Sequence, residues 1–388
     1  MGEWKEVKLG EIATIIDCEH KTASKVESSN FYSVRTSNIS NGKIDFEGAN
    51  RVSESTYTEW TKRGIPEEGD IILAREAPVG EVGFVKKGYK VCLGQRTVLI
   101  KVFSKNVSSK YLLYHFVSPQ IKHELRVRSV GSVVSHLNMK DIRAFPLKLP
   151  PLPEQKAIAT ILTSLDDKID LLHRQNKTLE AMAETLFRQW FVEEEVQYLM
   201  LGDCIKTTSG GTPSRKRMEF YENGKYQWVK SKELNRGYIL GTEEKITEEA
   251  LNNSSAKLLP KNSVLIAMYG ATVGQFGIIG QEATCNQAVC ACIPNEKFPY
   301  TFIYYTIKAN EEELKSRAVG SAQQNISQVL IRQLEIPVDD KKIEKYHTKV
   351  HPIMDRIKGN STQIRTLATL RDTLLPKLMN GTVRVSEL

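Results

Sequence analysis

PPLPEQKAIATILTSLDDKIDLLHRQNKTLEAMAETLFRQWF, residues 150–191, is the stretch from which the rest of the chain is read. At alternating 4-3 spacing it lines up Ile158, Leu162, Leu165, Ile169, Leu172, Asn176, Leu179, Ala183, Leu186 and Trp190, nine of the ten apolar, with mostly charged or polar residues between. Apolar side chains every ~3.5 residues keep one seam of a helix turned to a partner helix, the coiled-coil pattern. Pro151 and Pro153 suit a sharp entry, because proline fits a first helical turn. At ~1.5 Å per residue the helix runs about 55 Å, too long for one small domain to cover. It needs a partner.

Residues 339–380 supply one. The seam repeats 188 residues on as Tyr346, Val350, Ile353, Ile357, Asn360, Ile364, Leu367, Arg371, Leu374 and Leu378. Laid antiparallel, the layers run from Ile158–Leu378 through Leu165–Arg371 and Asn176–Asn360 to Trp190–Tyr346. A buried Asn is costly unless another amide satisfies it, so facing Asn residues select one register. Residues 151–195 carry five Lys/Arg against nine Asp/Glu and residues 339–388 ten against six, so their charges attract. Pro352 and Pro376 should bend or end the distal helix, which leaves the Ile353 and Leu378 layers least secure. Two amphipathic helices in separate cores remain the plainer alternative.

The chain is also a tandem repeat. Leu9-Gly10-Glu11-Ile12 answers Leu201-Gly202-Asp203-Cys204, and residues 34–44 answer 229–239. GDIILAREAPVGEVGFV at 69–85 answers NSVLIAMYGATVGQFGII at 262–279. Gly94-Gln95 matches Asn286-Gln287, Arg128-x-Val130-Gly131-Ser132 matches Arg317-x-Val319-Gly320-Ser321, and Phe145-Pro146-Leu147 matches Ile336-Pro337-Val338. The offset stays between 188 and 195. Short β-rich runs between glycine turns, with one helix at about 109–126 and another at 299–316, predict an α/β class: two similar α/β domains separated by two long antiparallel coiled-coil helices, a pseudo-twofold repeat. The boundaries fall at 1–150, 151–195, 196–338 and 339–388, and the antiparallel rods should leave the globules at opposite ends.

Composition narrows the function. With 388 residues, 40% apolar and 26% charged, the chain has the makeup of a folded protein of two or more domains. No run is apolar enough for a membrane span and residues 1–20 lack a signal-peptide layout, so the expectation is cytoplasmic with no membrane partner. Cys285, Cys290 and Cys292 form the only cysteine cluster, at poor zinc spacing; no metal site is expected. A net charge of +8 and a pI of about 9.0 favour an anionic partner, nucleic acid first.

No catalytic set emerges: a P-loop, HExxH, GxSxG, CxxC and an NPP-aromatic tetrapeptide are all absent. DNA contact has candidates. Arg35 and Lys230 occupy equivalent places, followed by polar loops with Ser37, Asn38, Asn41 and Lys43 or Lys232, Asn235 and Arg236. Arg and Lys suit guanine or phosphate, and Asn suits adenine; a strand end with a solvated turn is the equal alternative. Arg215, Lys216 and Arg217 form a basic loop suited to phosphate, and Arg75, Arg96 and Gln287 complete the set. The Gly80/Gly83 and Gly274/Gly277 pairs could cradle a phosphate but read better as strand turns. Arg128 and Arg317 could touch phosphate or pack beside the Gly-Ser turn.

Taken together, LPPLPEQKAIATILTSLDDKIDLLHRQNKTLEAMAETLFRQWF, the closing LRDTLLPKLMNGTVRV and the V-G-S and GD-to-VG segments resemble the specificity subunits of Type I restriction–modification systems over the whole chain. The resemblance implies a non-catalytic subunit whose two target recognition domains each read half of a split double-stranded DNA sequence. The helices would act as a ruler and dock two modification (methyltransferase) subunits, joined by restriction (endonuclease and motor) subunits. S-adenosylmethionine and ATP would bind those partners, and no cofactor is expected here. A coiled-coil adaptor with protein-binding globules and a stand-alone DNA enzyme are the competing classes.

Overall fold

The computed structural model describes residues 4–129, 135–318 and 325–385. The Val130-Gly131-Ser132 and Val319-Gly320-Ser321 segments lie outside them. The chain divides into two units, Met1–Lys168 with Leu367–Leu388 and Ile169–Thr366.

In the first unit the β-branched runs form a sheet in the order Ala13–Asp17, Thr97–Val102, Ile71–Ala74, Val82–Phe84, with antiparallel neighbours. A smaller sheet places Phe31–Val34 between Asn50–Arg51 and Lys90–Leu93, parallel to the latter. The second unit repeats this plan. Lys206–Ser209, Val289–Ile293, Val264–Ala267 and Phe276–Ile279 follow in the same order, extended by Tyr238–Ile239, while Tyr226–Val229 lies parallel to Thr284–Cys285. Shared strand order and a shared parallel pair make the two units copies of one fold. Each copy also ties its start to its end: Lys5–Lys8 pairs with Pro146–Leu149, and Gln197–Met200 with Glu335–Val338.

Where one helix was expected in each copy, there are two. Ser109–Val117 is followed by Pro119–Arg128, and Tyr300–Ala309 by Glu311–Ser316. Pro119 explains the first break, since it lacks an N–H and biases Ser118 away from helical angles. The first of each pair packs on the sheet and on the long helices. Tyr111, Leu112 and Phe116 share a core with Ile71, Val98, Ile158, Leu162 and Leu378. Phe302 and Ile303 share one with Ile266, Phe276, Phe187, Tyr346 and Val350.

The long helices are Leu152–Phe191 and Asp340–Met379, of 40 residues each. In the first unit they run antiparallel, Asp166 pairing with Arg371 at 2.7 Å and Glu154, at the start of the first helix, with Arg384 just past the end of the second at 2.9 Å. Arg371, the cation in the apolar seam, is thereby answered by the carboxylate beside Leu165. In the second unit Asn360 Nδ2 donates to Asn176 Oδ1 at 2.9 Å, and Asn176 Nδ2 donates to Ser361 Oγ at 3.2 Å. Farther along, Tyr346 donates its hydroxyl to Ala183 O and meets the Trp190 ring edge-on.

The distal helix continues through both prolines. Pro352 and Thr348 are exposed, so the carbonyl left without a donor opens to solvent. Burial of Val350 and Met354 on one side, and of Leu375 and Leu378 near the other proline, offsets the ~3 kcal/mol that an internal proline costs. Met354 at 2% exposure takes the buried place expected of Ile353, and Leu378 is fully buried. The glycine pairs are structural. Gly80 and Gly274 turn the chain at φ +88° and +79°. A Cβ on Gly83 would meet Ile44 at 2.5 Å, and one on Gly277 would sit 3.1 Å from Gly237 O. Arg128 lies over the Phe145 ring at 5.4 Å and Arg317 donates to Gln333 O at 3.2 Å, so both pack against their own domains.

One buried group ties the first unit's stability to pH. His115 is 5% exposed beside Tyr111; neither its ring nitrogens nor the Tyr111 hydroxyl has a hydrogen-bond partner among the described residues. Burial pushes the imidazole down to about 4. The unfolded chain takes up a proton below its ordinary value of ~6.5 while the fold does not. The stabilisation is therefore complete above that value and falls as pH drops toward 4, by about 2 kcal/mol between pH 7 and 5. His115→Leu should flatten this part of the curve in denaturant unfolding at the two pH values; an unchanged slope would place the titration elsewhere.

Candidate nucleic-acid interface

In both copies the central strand of the small sheet ends in a basic residue followed by one 3-10 turn. Val34 leads to Arg35 and the turn Thr36–Asn38, and Val229 leads to Lys230 and Ser231–Glu233. The side chain three residues on closes the turn: Asn38 Oδ1 accepts from Arg35 N–H at 3.1 Å, and Glu233 Oε2 accepts from Lys230 N–H at 2.7 Å. Asn38 is 4% exposed. It shapes the loop and does not present its amide to a base, contrary to the expectation that it suits adenine. Ser37 is exposed, and Arg35 and Lys43 are half-buried.

In the first domain Arg75 is also taken up internally. Its Nη1 donates to both Asp17 oxygens at 3.1 and 2.9 Å, and its side chain is 12% exposed. Asp17, Cys18 and His20 come within metal-binding reach of one another, but the Arg75 guanidinium already holds both Asp17 oxygens. Arg96 keeps an accessible side chain at φ +67°, paired with Glu76 at 3.0 Å. Gly94 packs so tightly that a Cβ there would sit 2.7 Å from Val34 O, which puts the Arg96 loop next to Arg35.

The second domain gathers its cations around carboxylates. Arg215 and Lys230 share Glu244 at 2.6 and 2.7 Å, and Lys230 and Lys232 share Glu243 at 3.3 and 2.7 Å. Hydrogen bonds from Arg215 and then Lys230 hold Glu244 below the usual carboxylate range, and Lys232 and then Lys230 do the same for Glu243. Arg215 also stacks over Tyr221 at 4.4 Å and Trp228 at 5.0 Å. Arg217 is held by Glu219 and Glu249 over Phe220, while Lys216 is exposed. Gln287 accepts from the Thr212 hydroxyl, joining its loop to the base of the 212–217 loop. Arg236 turns away to Glu311.

The structure thus brings Arg215 to Lys230 and Lys232, which the sequence left in a separate segment. It adds Tyr221, Trp228, Glu243 and Glu244, none of which the sequence singled out. An aromatic group sits likewise by the first small sheet: Phe46 stacks on Tyr89 at 3.7 Å and Arg51 lies over Tyr32 at 4.8 Å. Arginine over aromatic faces and the exposed Lys232–Glu243 pair suit an anionic polymer, while Lys230, 16% exposed, is held more closely by the half-buried Glu244. Exposed ion pairs are worth ~0–1 kcal/mol each, so phosphates can replace them at small cost.

The family described as the Type I restriction modification DNA specificity domain matches residues 1–181 and again residues 193–361. The chain belongs to this family. It is similar to the Type I restriction enzyme MjaIX specificity subunit of Methanocaldococcus jannaschii, 28% identical over 368 residues that cover 88% of this chain and 83% of that one. The EcoR124I/EcoR124II specificity subunit of Escherichia coli is 31% identical over 222 residues, 53% of each chain. The solved Type I S subunit from M. genitalium shares the fold, with a TM-score of 0.65 at 15% identity over 97% of this chain and 96% of that one. As a Type I specificity subunit the chain is the DNA-recognition member of a restriction–modification complex and leaves the chemistry to other subunits. No helix among its described residues is long and apolar enough to cross a membrane.

Proposed function

We propose that each α/β domain of this specificity subunit reads one half of a bipartite, asymmetric DNA target. The helix pair sets the number of base pairs between the halves and offers the surface on which two modification subunits dock. Restriction subunits complete the assembly in the cytoplasm. S-adenosylmethionine and ATP are bound by these partners, which also carry the adenine-methylating and cleaving sites.

One observation carries this reading. The same strand–turn–loop occurs in both domains with different side chains: Arg35 and the exposed Ser37 and Ser40 in one copy stand where Lys230 and the exposed Lys232 and Asn235 stand in the other. Equivalent geometry with unlike chemistry is what two different half-sites require. In the assembled methyltransferase, Arg35→Ala and Lys230→Ala should each relax base preference in one half-site only, by about 1–3 kcal/mol, measured by competition with duplexes changed at single base pairs. Equal weakening on all duplexes, with a smaller salt slope, would mark a phosphate contact instead.

A further inference from the structure

In both copies the loop tip is tied to the second short helix of its own domain, by a lysine in one and a glutamate in the other. In the first domain the tip is Asn41-Gly42, at φ +47° and +82°, joining Ile39–Ser40 to Lys43–Ile44. Lys122 Nζ donates to Asn41 Oδ1 at 2.8 Å and to Glu81 Oε1 at 2.7 Å, and Asn41 N–H donates to Glu81 Oε2 at 2.8 Å. Lys122 and Glu81 side chains are only 12% and 13% exposed. In the second domain Arg236 occupies the tip at φ +59°, and its Nη2 donates to Glu311 Oε1, which also takes Lys315 Nζ at 2.9 Å.

Lys122 and Glu311 hold the same place in the repeat. A Cβ on Gly80 would lie 3.9 Å from Lys122 O, and one on Gly274 the same distance from Glu311 O. The tip backbones match as well: Gly42 O accepts from Phe84 N–H, and Gly237 O from Ile278 N–H. Glu81 aligns with Gln275. One copy therefore holds an amide tip with a lysine and a glutamate, and the other holds an arginine tip with a glutamate. Neither buried group is suited to touch DNA. Lys122 would have to abandon a buried carboxylate, and Glu311 would repel phosphate.

We infer that Lys122 and Glu311 are positioning residues for specificity: each clasps the recognition loop of its own domain and fixes where that loop presents its side chains. Because the clasps are of opposite charge, a loop from one domain is mismatched to the cradle of the other. The inference rests on the reading of these loops as DNA-recognition elements.

The test uses the full chain assembled with its methyltransferase subunits and duplexes changed at one base pair in either half-site. Lys122→Met should reduce discrimination at the first half-site by about tenfold, as expected of a contact displaced by roughly an ångström, and leave the second half-site unchanged. Lys122→Arg should keep most of it, and Glu311→Gln should produce the mirror result. Unchanged discrimination, or equal weakening on every duplex, would overturn the inference, and so would a lowered melting temperature with no change at either half-site. Arg35→Ala and Lys43→Ala serve as the control. If they shift first half-site preference while Lys122→Met does not, the clasp alone fails; if neither shifts it, the loop reading fails with it. Should Lys122→Met not assemble, Glu311→Gln decides the question in the second domain.

Discussion

Removal of residues 169–175 from the first long helix and 361–367 from the second is expected to shorten the unspecified spacer by about three base pairs while both half-sites keep their sequences. A heptad spans about 10.5 Å at ~1.5 Å per residue, and B-DNA rises ~3.4 Å per base pair. The chosen block removes the Ile169, Leu172, Ile364 and Leu367 positions and leaves both the Asn176–Asn360 hydrogen bond and the Asp166–Arg371 pair in place. Affinity should fall as well. Three base pairs turn DNA by about 100°, whereas a heptad drifts only ~20° about the helix axis. The excised block also carries Arg365, which donates to Leu240 O, so the second domain loses one tie. Genomic methylation mapping reads the spacer directly. An unaltered spacer would show that something other than the helix pair sets it.

The second large effect concerns Asp166. Its Oδ2 accepts from the Tyr114 hydroxyl at 2.7 Å and its Oδ1 from Arg371 Nη1 at 2.7 Å, with the Arg371 side chain 25% exposed. Asp166→Ala takes the Asp166 carboxylate from the Tyr114 hydroxyl and leaves Arg371, in an apolar seam, to its exposed neighbour Asp372. Exposed pairs are worth ~0–1 kcal/mol, and breaking a buried pair costs ~3–5, so a half-buried pair with an added hydrogen bond should cost about 2–3 kcal/mol. Arg371→Leu should cost less, because it removes the cation, leaves Tyr114 its acceptor and puts an apolar group into the Leu165 layer. Denaturant unfolding of the two variants gives the order. A milder Asp166→Ala would mean that solvent already screens the pair.

Much of the architecture was legible because it depends on periodicity. The 4-3 seam runs through residues that are buried or half-buried in the first long helix, and one polar layer aligns Asn176 with Asn360. The tandem repeat announced a doubled fold. What periodicity could not show was the local cost of a residue that breaks it. Pro352 and Pro376 stay inside the distal helix because neighbouring burial outweighs the lost hydrogen bonds, a balance visible only once the partner surface exists. Pro119 was the opposite case: it did end its helix, and the Ser118-Pro119 pair carried that signal.

The candidate recognition surface was less legible, because its charges are shared across strand pairing. Glu243 and Glu244 precede the edge strand Lys245–Ile246, which lies against Tyr226–Val229, so they meet Lys230 and Arg215 only after the sheet forms. Counting basic residues along the sequence could not reveal that Arg75 belongs to Asp17 or Arg236 to Glu311. Asn38 was hard to place for another reason. An Asn four residues past a strand end has the chemistry to read adenine, but it is equally suited to cap the turn it closes.

The most direct test of bipartite recognition is methylation mapping of genomic DNA from cells carrying the complete system, with and without this chain. The expected result is adenine methylation, dependent on the chain, at two different short sequences separated by a constant number of unspecified base pairs. A single uninterrupted or palindromic motif, or a pattern that persists without the chain, would contradict it.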